Sequence, residues 1–80
     1  MQFPQEFVVR REIYAIRHFG QGLLELIPPG QVILADRPSS YARMIEAVWQ
    51  GRRYLVFERD LKECTEPVPI DEDPAQRIWA

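Results

Sequence analysis

The sequence predicts a mainly β domain, a small antiparallel barrel-like sheet. Two runs rich in β-branched and aromatic residues flank a central Gln50-Gly51, the pattern of a hairpin with a tight turn. Pro28-Pro29-Gly30 excludes a helix that runs through this point of the chain, because proline removes a helical donor. Eighty residues make one domain, and nine aromatic side chains are available for its core.

The first element falls in Phe7–Arg17, where Val, Ile, Tyr and Phe are dense and favour one long, bent strand. A helix stays open as an alternative, because Val9, Ile13 and Ile16 also align at helical spacing. His18–Gly22 holds two glycines in three residues and is expected to be a loop.

The next segments are short and are separated by turn residues. Leu23–Ile27 is apolar except for one glutamate and runs into a proline-proline-glycine turn. Gln31–Asp36 is then predicted to be a strand, with alternating side chains on its two faces. Arg37–Ser40 is expected to be a polar connection, in which proline biases the preceding arginine towards extended geometry.

The hairpin occupies the second half of the chain. Tyr41–Trp49 and Arg52–Phe57 alternate on either side of Gln50-Gly51 and are predicted to pair as antiparallel strands. A helix over Ser39–Trp49 is the alternative, since Ser40 can cap it.

The end of the chain turns polar and then acidic. Asp60–Cys64 is predicted to form a 3₁₀ turn that Leu61 anchors to the core. Thr65–Ile70 is expected to give at most a brief edge strand, because its two prolines lack ladder donors. We therefore divide the chain into a domain over residues 1–68 and an acidic extension over residues 69–80, whose order stays open.

The order of these elements resembles an SH3-like small β-barrel. Leu23–Leu34, L-L-E-L-I-P-P-G-Q-V-I-L, is similar to a strand that enters a diverging turn and a second strand that leaves it. Ala42–Phe57 is similar to the distal hairpin, Glu58–Cys64 to the 3₁₀ turn, and Thr65–Val68 to the last strand. The resemblance covers about residues 7–68 and rests on element order and turn chemistry.

The motifs of signalling SH3 domains are not matched. Ala15-Ile16-Arg17-His18 stands where those domains carry an Ala-Leu-Tyr-like segment, and Asp60-Leu61 replaces their proline-tyrosine pair. Recognition of polyproline requires a groove of stacked aromatic rings. The resemblance therefore implies a fold and no polyproline binding.

Composition and charge limit the location and the partners. Residues 1–64 have a net charge of +1 and residues 65–80 a net charge of −3, which together give the net charge of −2. No apolar run reaches the roughly 20 residues of a membrane span, and no secretory signal is expected at the start of the chain. We expect no membrane association and a cytoplasmic location.

Catalytic, cofactor-binding and metal-binding residues are not expected. Cys64 and His18 are the sole cysteine and histidine, so neither a disulfide nor a cysteine zinc cluster can form within the chain. Glu25 and Glu46 lie inside apolar runs, and Glu46 is expected to face solvent and to pair with an arginine such as Arg53 or Arg52 across the hairpin. We expect a protein that is not an enzyme and uses no cofactor.

A protein partner or a second copy of the chain is the expected ligand, because a small sheet has exposed edges. Six large apolar residues cannot all enter the core of an 80-residue chain, so some of them are expected to form a contact patch: Phe3, Phe7, Phe19, Tyr41, Ile78 and Trp79. RNA or single-stranded DNA is the alternative, less favoured for an acidic chain. The candidate interaction surface for either is Arg10, Tyr14, Arg17, Tyr41, Arg52 and Arg53.

Replacing Trp49 by alanine tests whether its ring is part of the core. If the ring is part of the core, Trp49→Ala should lower the free energy of unfolding by about 3–5 kcal/mol, because the lost ring would leave a cavity. A urea titration of both proteins measures this change. A loss below about 1 kcal/mol would place the ring on the surface.

Overall fold

The computed structural model describes residues 2–17 and 22–69. Those residues form seven strands and one helix: β1 (Gln5–Val9), β2 (Ile13–Arg17), β3 (Leu24–Ile27), β4 (Val32–Pro38), β5 (Met44–Trp49), β6 (Arg52–Phe57), α1 (Glu58–Cys64) and β7 (Thr65–Pro67). The predicted mainly β class is confirmed.

The strands form one antiparallel sheet in the order β3-β2-β6-β5-β4-β1-β7. The sheet curls into a half-barrel, so the predicted small antiparallel barrel is confirmed in its open form. Within the described residues, β3 and β7 are the two edges of the sheet.

Residues 7–17 belong to two strands, so the prediction of one long strand is wrong, as is the helical alternative. The backbone N–H groups of Arg10 and Arg11 both donate to the carbonyl oxygen of Cys64, at 2.8 and 3.1 Å. Because these two N–H groups bond to Cys64, the chain leaves the ladders of β1 after Val9. β1 therefore pairs with β4 and β7, whereas β2 pairs with β3 and β6.

The core lies on the inner, concave face of the curled sheet. Alternate strand positions and one helical residue supply it: Phe7, Val9, Ile13, Ala15, Ile27, Ile33, Ala35, Ile45, Ala47, Tyr54, Val56 and Leu61. Half-buried Trp49 packs against this cluster, with its ring centroid 5.8 Å from that of Tyr54. Half-buried Cys64, the last residue of α1, also packs there.

β4 is longer than the predicted strand Gln31–Asp36, and it ends at Pro38. The register shifts between Ala35 and Arg37, which is a β-bulge at Asp36. Two residues of β4, Asp36 and Arg37, thus stand opposite Glu46 of β5. The predicted polar connection over Arg37–Ser40 therefore begins two residues too early.

The hairpin turn is confirmed. β5 and β6 pair from Met44 opposite Phe57 to Trp49 opposite Arg52, leaving a two-residue loop. Both loop residues have positive φ, 52° at Gln50 and 75° at Gly51, as a type I′ turn requires.

The first hairpin strand begins at Met44, three residues after the predicted start at Tyr41. The residues before it form a turn in which Arg43 has a φ of 65° and the Ser39 N–H donates to the Met44 carbonyl at 3.0 Å. The alternative helix over Ser39–Trp49 is wrong, because β5 occupies its second half.

The segment after the hairpin is an α-helix, so the predicted 3₁₀ turn over Asp60–Cys64 is wrong in type and length. Ion pairs four residues apart support α geometry: Arg59 with Glu63 at 2.9 Å and Lys62 with Glu58 at 3.5 Å. The predicted anchoring by Leu61 is confirmed, since that side chain is buried in the core.

β7 is a three-residue edge strand beside β1, as predicted for Thr65–Ile70. The N–H of Val68 donates to the carbonyl of Glu6 at 2.8 Å and extends this pairing by one residue. The acidic extension predicted over residues 69–80 lies outside the described residues from position 70 onwards.

The left-handed backbone at Gly51 predicts a steep penalty for a β-branched residue. We expect Gly51→Val to cost more than the roughly 1 kcal/mol of an average substitution, because valine resists positive φ. Gly51→Asn is the control, since asparagine tolerates this conformation and should cost less. Urea titrations of the three proteins make the comparison. Equal unfolding midpoints for Gly51→Val and the unsubstituted chain would contradict it.

Candidate functional site

The outer, convex face of the sheet is apolar across four neighbouring strands. Residues that stand opposite one another in an antiparallel ladder project to the same side. The register places Tyr14 opposite Leu26, and Ile16 opposite both Leu24 and Leu55. Phe57, two residues after Leu55, stands opposite Met44. We call these side chains the outer apolar face: Tyr14, Ile16, Leu24, Leu26, Met44, Leu55 and Phe57.

Leu55 shows that this face is a packed cluster. Its neighbours Tyr54 and Val56 belong to the core, whereas Leu55 projects to the other side and is still only 7% exposed. Its burial therefore comes from the side chains around it on the outer face. β6 consequently buries three consecutive residues, two of them inwards and one outwards.

The cluster is incompletely covered at the β2–β3 hairpin. Leu24 is 58% exposed, Tyr14 50% and Leu26 47%. Three large apolar side chains next to one another make a contiguous exposed patch, which in soluble proteins marks a contact surface more often than isolated exposed leucines do. The patch lies at the sheet edge, because β3 pairs only with β2 among the described strands.

Charged side chains border the face along β4, β5 and β6. Asp36 accepts hydrogen bonds from Arg53 at 3.0 Å and from Arg37 at 3.2 Å, and Arg53 also lies 3.6 Å from Glu46. The predicted pairing of Glu46 with an arginine is thus confirmed for Arg53. These donors, Arg53 first and then Arg37, lower the pKa of the Asp36 carboxyl below its ordinary value. The border holds two cations and two anions and is neutral.

A second polar group lies on the inner side of the β2–β3 hairpin. Arg17 donates to Glu25 at 2.8 Å, and Tyr54 stands opposite Arg17 in the ladder. The nearby Tyr54 hydroxyl lowers the pKa of the Glu25 carboxyl most, and the charge of Arg17 lowers it further. Burial raises the pKa of Tyr54, and its hydrogen bond to Glu25 adds to that rise. The structure gives Glu25 a role in joining β3 to β2 and β6.

The six predicted surface residues do not converge on one surface. Arg17, Arg52 and Arg53 line a shallow hollow of about 290 Å³ at the hairpin turn. Tyr14 belongs to the outer apolar face. Arg10 lies at the end of β1 in an ion pair with Glu66 at 2.9 Å, and Tyr41 is exposed in the turn before β5.

The predicted apolar patch is also rearranged. Phe7 is a core residue and Phe3 packs against the core, so these two are not among the residues that form an exposed patch. Tyr41 is exposed as predicted. Phe19, Ile78 and Trp79 lie outside the described residues, as does His18.

The outer apolar face is not among the surfaces predicted from the sequence. Its signal is consecutive apolar residues, which place apolar side chains on both sides of a strand: Y-A-I in β2, L-V-F in β6 and Leu26-Ile27 at the end of β3. A strand with only one buried face has polar residues at every second position. These runs do not.

Comparison with protein-family models, curated proteins and solved structures gave no match to this chain. Within residues 2–17 and 22–69, no group of three His, Cys, Asp or Glu side chains is arranged to hold a metal ion. The one helix in that part of the chain is too short and too polar to cross a membrane.

The lowered pKa of Asp36 predicts a specific loss of stability in acid. An ionised Asp36 stabilises the fold above its ordinary pKa of 3.8, and this contribution disappears as the pH falls through the lower, folded-state pKa. We therefore expect Asp36→Asn to be less stable than the unsubstituted chain near about pH 7, with the difference shrinking towards about pH 2.5.

Urea titrations at the two pH values measure that difference. Glu12→Gln, which removes an exposed carboxylate between β1 and β2, is the matched control for the loss of one negative charge. A difference between Asp36→Asn and the unsubstituted chain that stays constant down to low pH would contradict the role given to the Arg53–Asp36 bond.

Proposed function

We propose that this chain is a non-catalytic protein-interaction module whose binding surface is the outer apolar face. The observation that carries the proposal is the exposure of Tyr14, Leu24 and Leu26 side by side at the sheet edge. Exposed apolar area of this kind is unfavourable in water. Its burial by a partner therefore makes the free energy of binding more favourable. A charged border around an apolar centre is also the usual anatomy of a protein interface.

The ion pairs support a protein partner over a nucleic acid. A nucleic-acid surface needs cations that are free to replace the counterions of phosphates. Three of the four predicted arginines are already in ion pairs, Arg10 with Glu66, Arg17 with Glu25 and Arg53 with Asp36. RNA or single-stranded DNA remains the second candidate, supported by the hollow in which Arg17 and Arg53 lie beside Arg52.

The state of the carboxylates supports a non-catalytic role. General acid–base catalysis near neutral pH needs a carboxyl whose pKa is raised towards that pH. Glu25 and Asp36 accept hydrogen bonds from arginines in the sheet. Their pKa values are lowered instead. Their charges hold strands together.

Two lysine substitutions of equal exposure test the proposed surface. Leu26 and Val32 are both strand residues with 47% of their surface exposed, but only Leu26 belongs to the outer apolar face. We expect Leu26→Lys to abolish capture of partner proteins from the native cell lysate, because a charge would have to be desolvated on binding. Val32→Lys should leave that capture intact.

Each bait is used with and without nuclease treatment of the lysate. Bound proteins that disappear with Leu26→Lys, persist with Val32→Lys and resist nuclease support the proposal. Loss of all bound proteins on nuclease treatment would favour the nucleic-acid candidate. Equal capture by the two lysine variants would contradict the assignment of the surface.

A further inference from the structure

We propose that a second copy of this chain binds the outer apolar face by adding its own β3 to the β3 edge, around a two-fold axis. The two half-barrels would then share one continuous antiparallel sheet. This inference rests on the proposed function and names the partner of the same surface. Four features of the edge carry it: its lack of protection, its backbone polar groups, its neutral charge and its apolar area.

β3 lacks the features that normally prevent strand addition. Proteins protect sheet edges with proline, lysine, bulges or inward charges. The other edge, β7, is three residues long and ends in Pro67. β3 reads L-E-L-I, and its only charge, Glu25, is turned inwards and bound by Arg17. Because that charge is neutralised, it does not repel an incoming strand.

The backbone of β3 offers bonding groups at this edge. The Arg17 N–H donates to the Leu23 carbonyl at 2.9 Å, which identifies these two residues as a hydrogen-bonded pair. Such pairs alternate along an antiparallel ladder, so Glu25 and Ile27 also direct their N–H and C=O groups towards β2. Leu24 and Leu26 therefore direct theirs to the open edge. In a two-fold pairing centred on Leu26, the two Leu26 residues exchange both backbone bonds, and the Leu24 N–H of each copy faces the carbonyl of Pro28 of the other.

The charges near the edge suit a copy of the same surface. A two-fold axis brings each surface against itself, so a face of one sign would repel its copy. Here Arg17 neutralises Glu25, and the border holds two cations and two anions. A register centred on Leu26 is favoured over one centred on Glu25, because the latter would place two carboxylates directly opposite each other.

The apolar side chains beside the edge favour this pairing. Leu24 and Leu26 of β3 and Tyr14 of the neighbouring β2 are between 47% and 58% exposed on the outer side of the sheet. In a two-fold pairing centred on Leu26, the Leu26 side chains of the two copies stand directly opposite each other and are close enough to touch. This contact covers apolar surface that water reaches in a single copy.

Sedimentation velocity of the full chain from about 1 to 500 μM tests the proposal. We expect a concentration-dependent dimer. Leu26→Lys should weaken it by about 30-fold or more, as for the loss of a central contact residue combined with repulsion between two lysines. Val32→Lys, equal in exposure but away from the edge, should dimerise like the unsubstituted chain.

Leu24→Pro separates backbone pairing from side-chain contact. It removes an N–H that faces the open edge, at the first residue of β3, where proline is tolerated. We expect the β-type circular dichroism spectrum to be kept and the dimer to be lost. A dimer that persists in this variant or in Leu26→Lys would overturn strand addition.

A monomer at every concentration would also overturn this inference. That outcome leaves the proposed function standing if lysate proteins are still captured in a manner sensitive to Leu26→Lys. Absence of both the dimer and such captured proteins would overturn the two proposals together.

Discussion

The two-residue turn at Gln50-Gly51 holds β5 and β6 in a single register, and the orientation of the sheet's side chains depends on it. Both turn residues have positive φ, which matches the twist of the paired strands. In this register Val56 faces the core and Leu55 faces outwards. A slip by one residue would exchange the two faces. β2 and β4, which pair with the hairpin on either side, inherit the same division.

The resulting sheet uses both of its faces for apolar contacts. A domain of this size can bury only a limited core, and the inner face supplies nearly all of it. The outer face buries Leu55 but leaves the β2–β3 hairpin uncovered. β2 and β6 therefore contribute to stability through one side and to the proposed interface through the other. The Arg53–Asp36 pair at the border and the Arg17–Glu25 pair on the inner side of the β2–β3 hairpin each join opposite charges, so neither adds a net charge beside the outer apolar face.

Features set by neighbouring residues could be predicted from the sequence, whereas those set by distant contacts could not. The hairpin turn, the β4 strand, the short β7 edge and the anchoring by Leu61 all follow from local pattern and turn chemistry. The break between β1 and β2 depends on the Cys64 carbonyl, which is more than fifty residues away in the chain. Similarly, Arg10 lies apart from the three arginines at the hairpin turn, because it pairs with Glu66 of β7 near the opposite edge of the sheet.

The sequence by itself determined where strands alternate and where turns interrupt them, because these preferences act within a few residues. It also contained the two-sided apolar spacing of β2, β3 and β6. Only the tertiary structure decided which side of each strand is covered, since that depends on the order β3-β2-β6-β5-β4 and on the direction in which the sheet curls. The same pairing left β3 at an edge and so created the exposed surface.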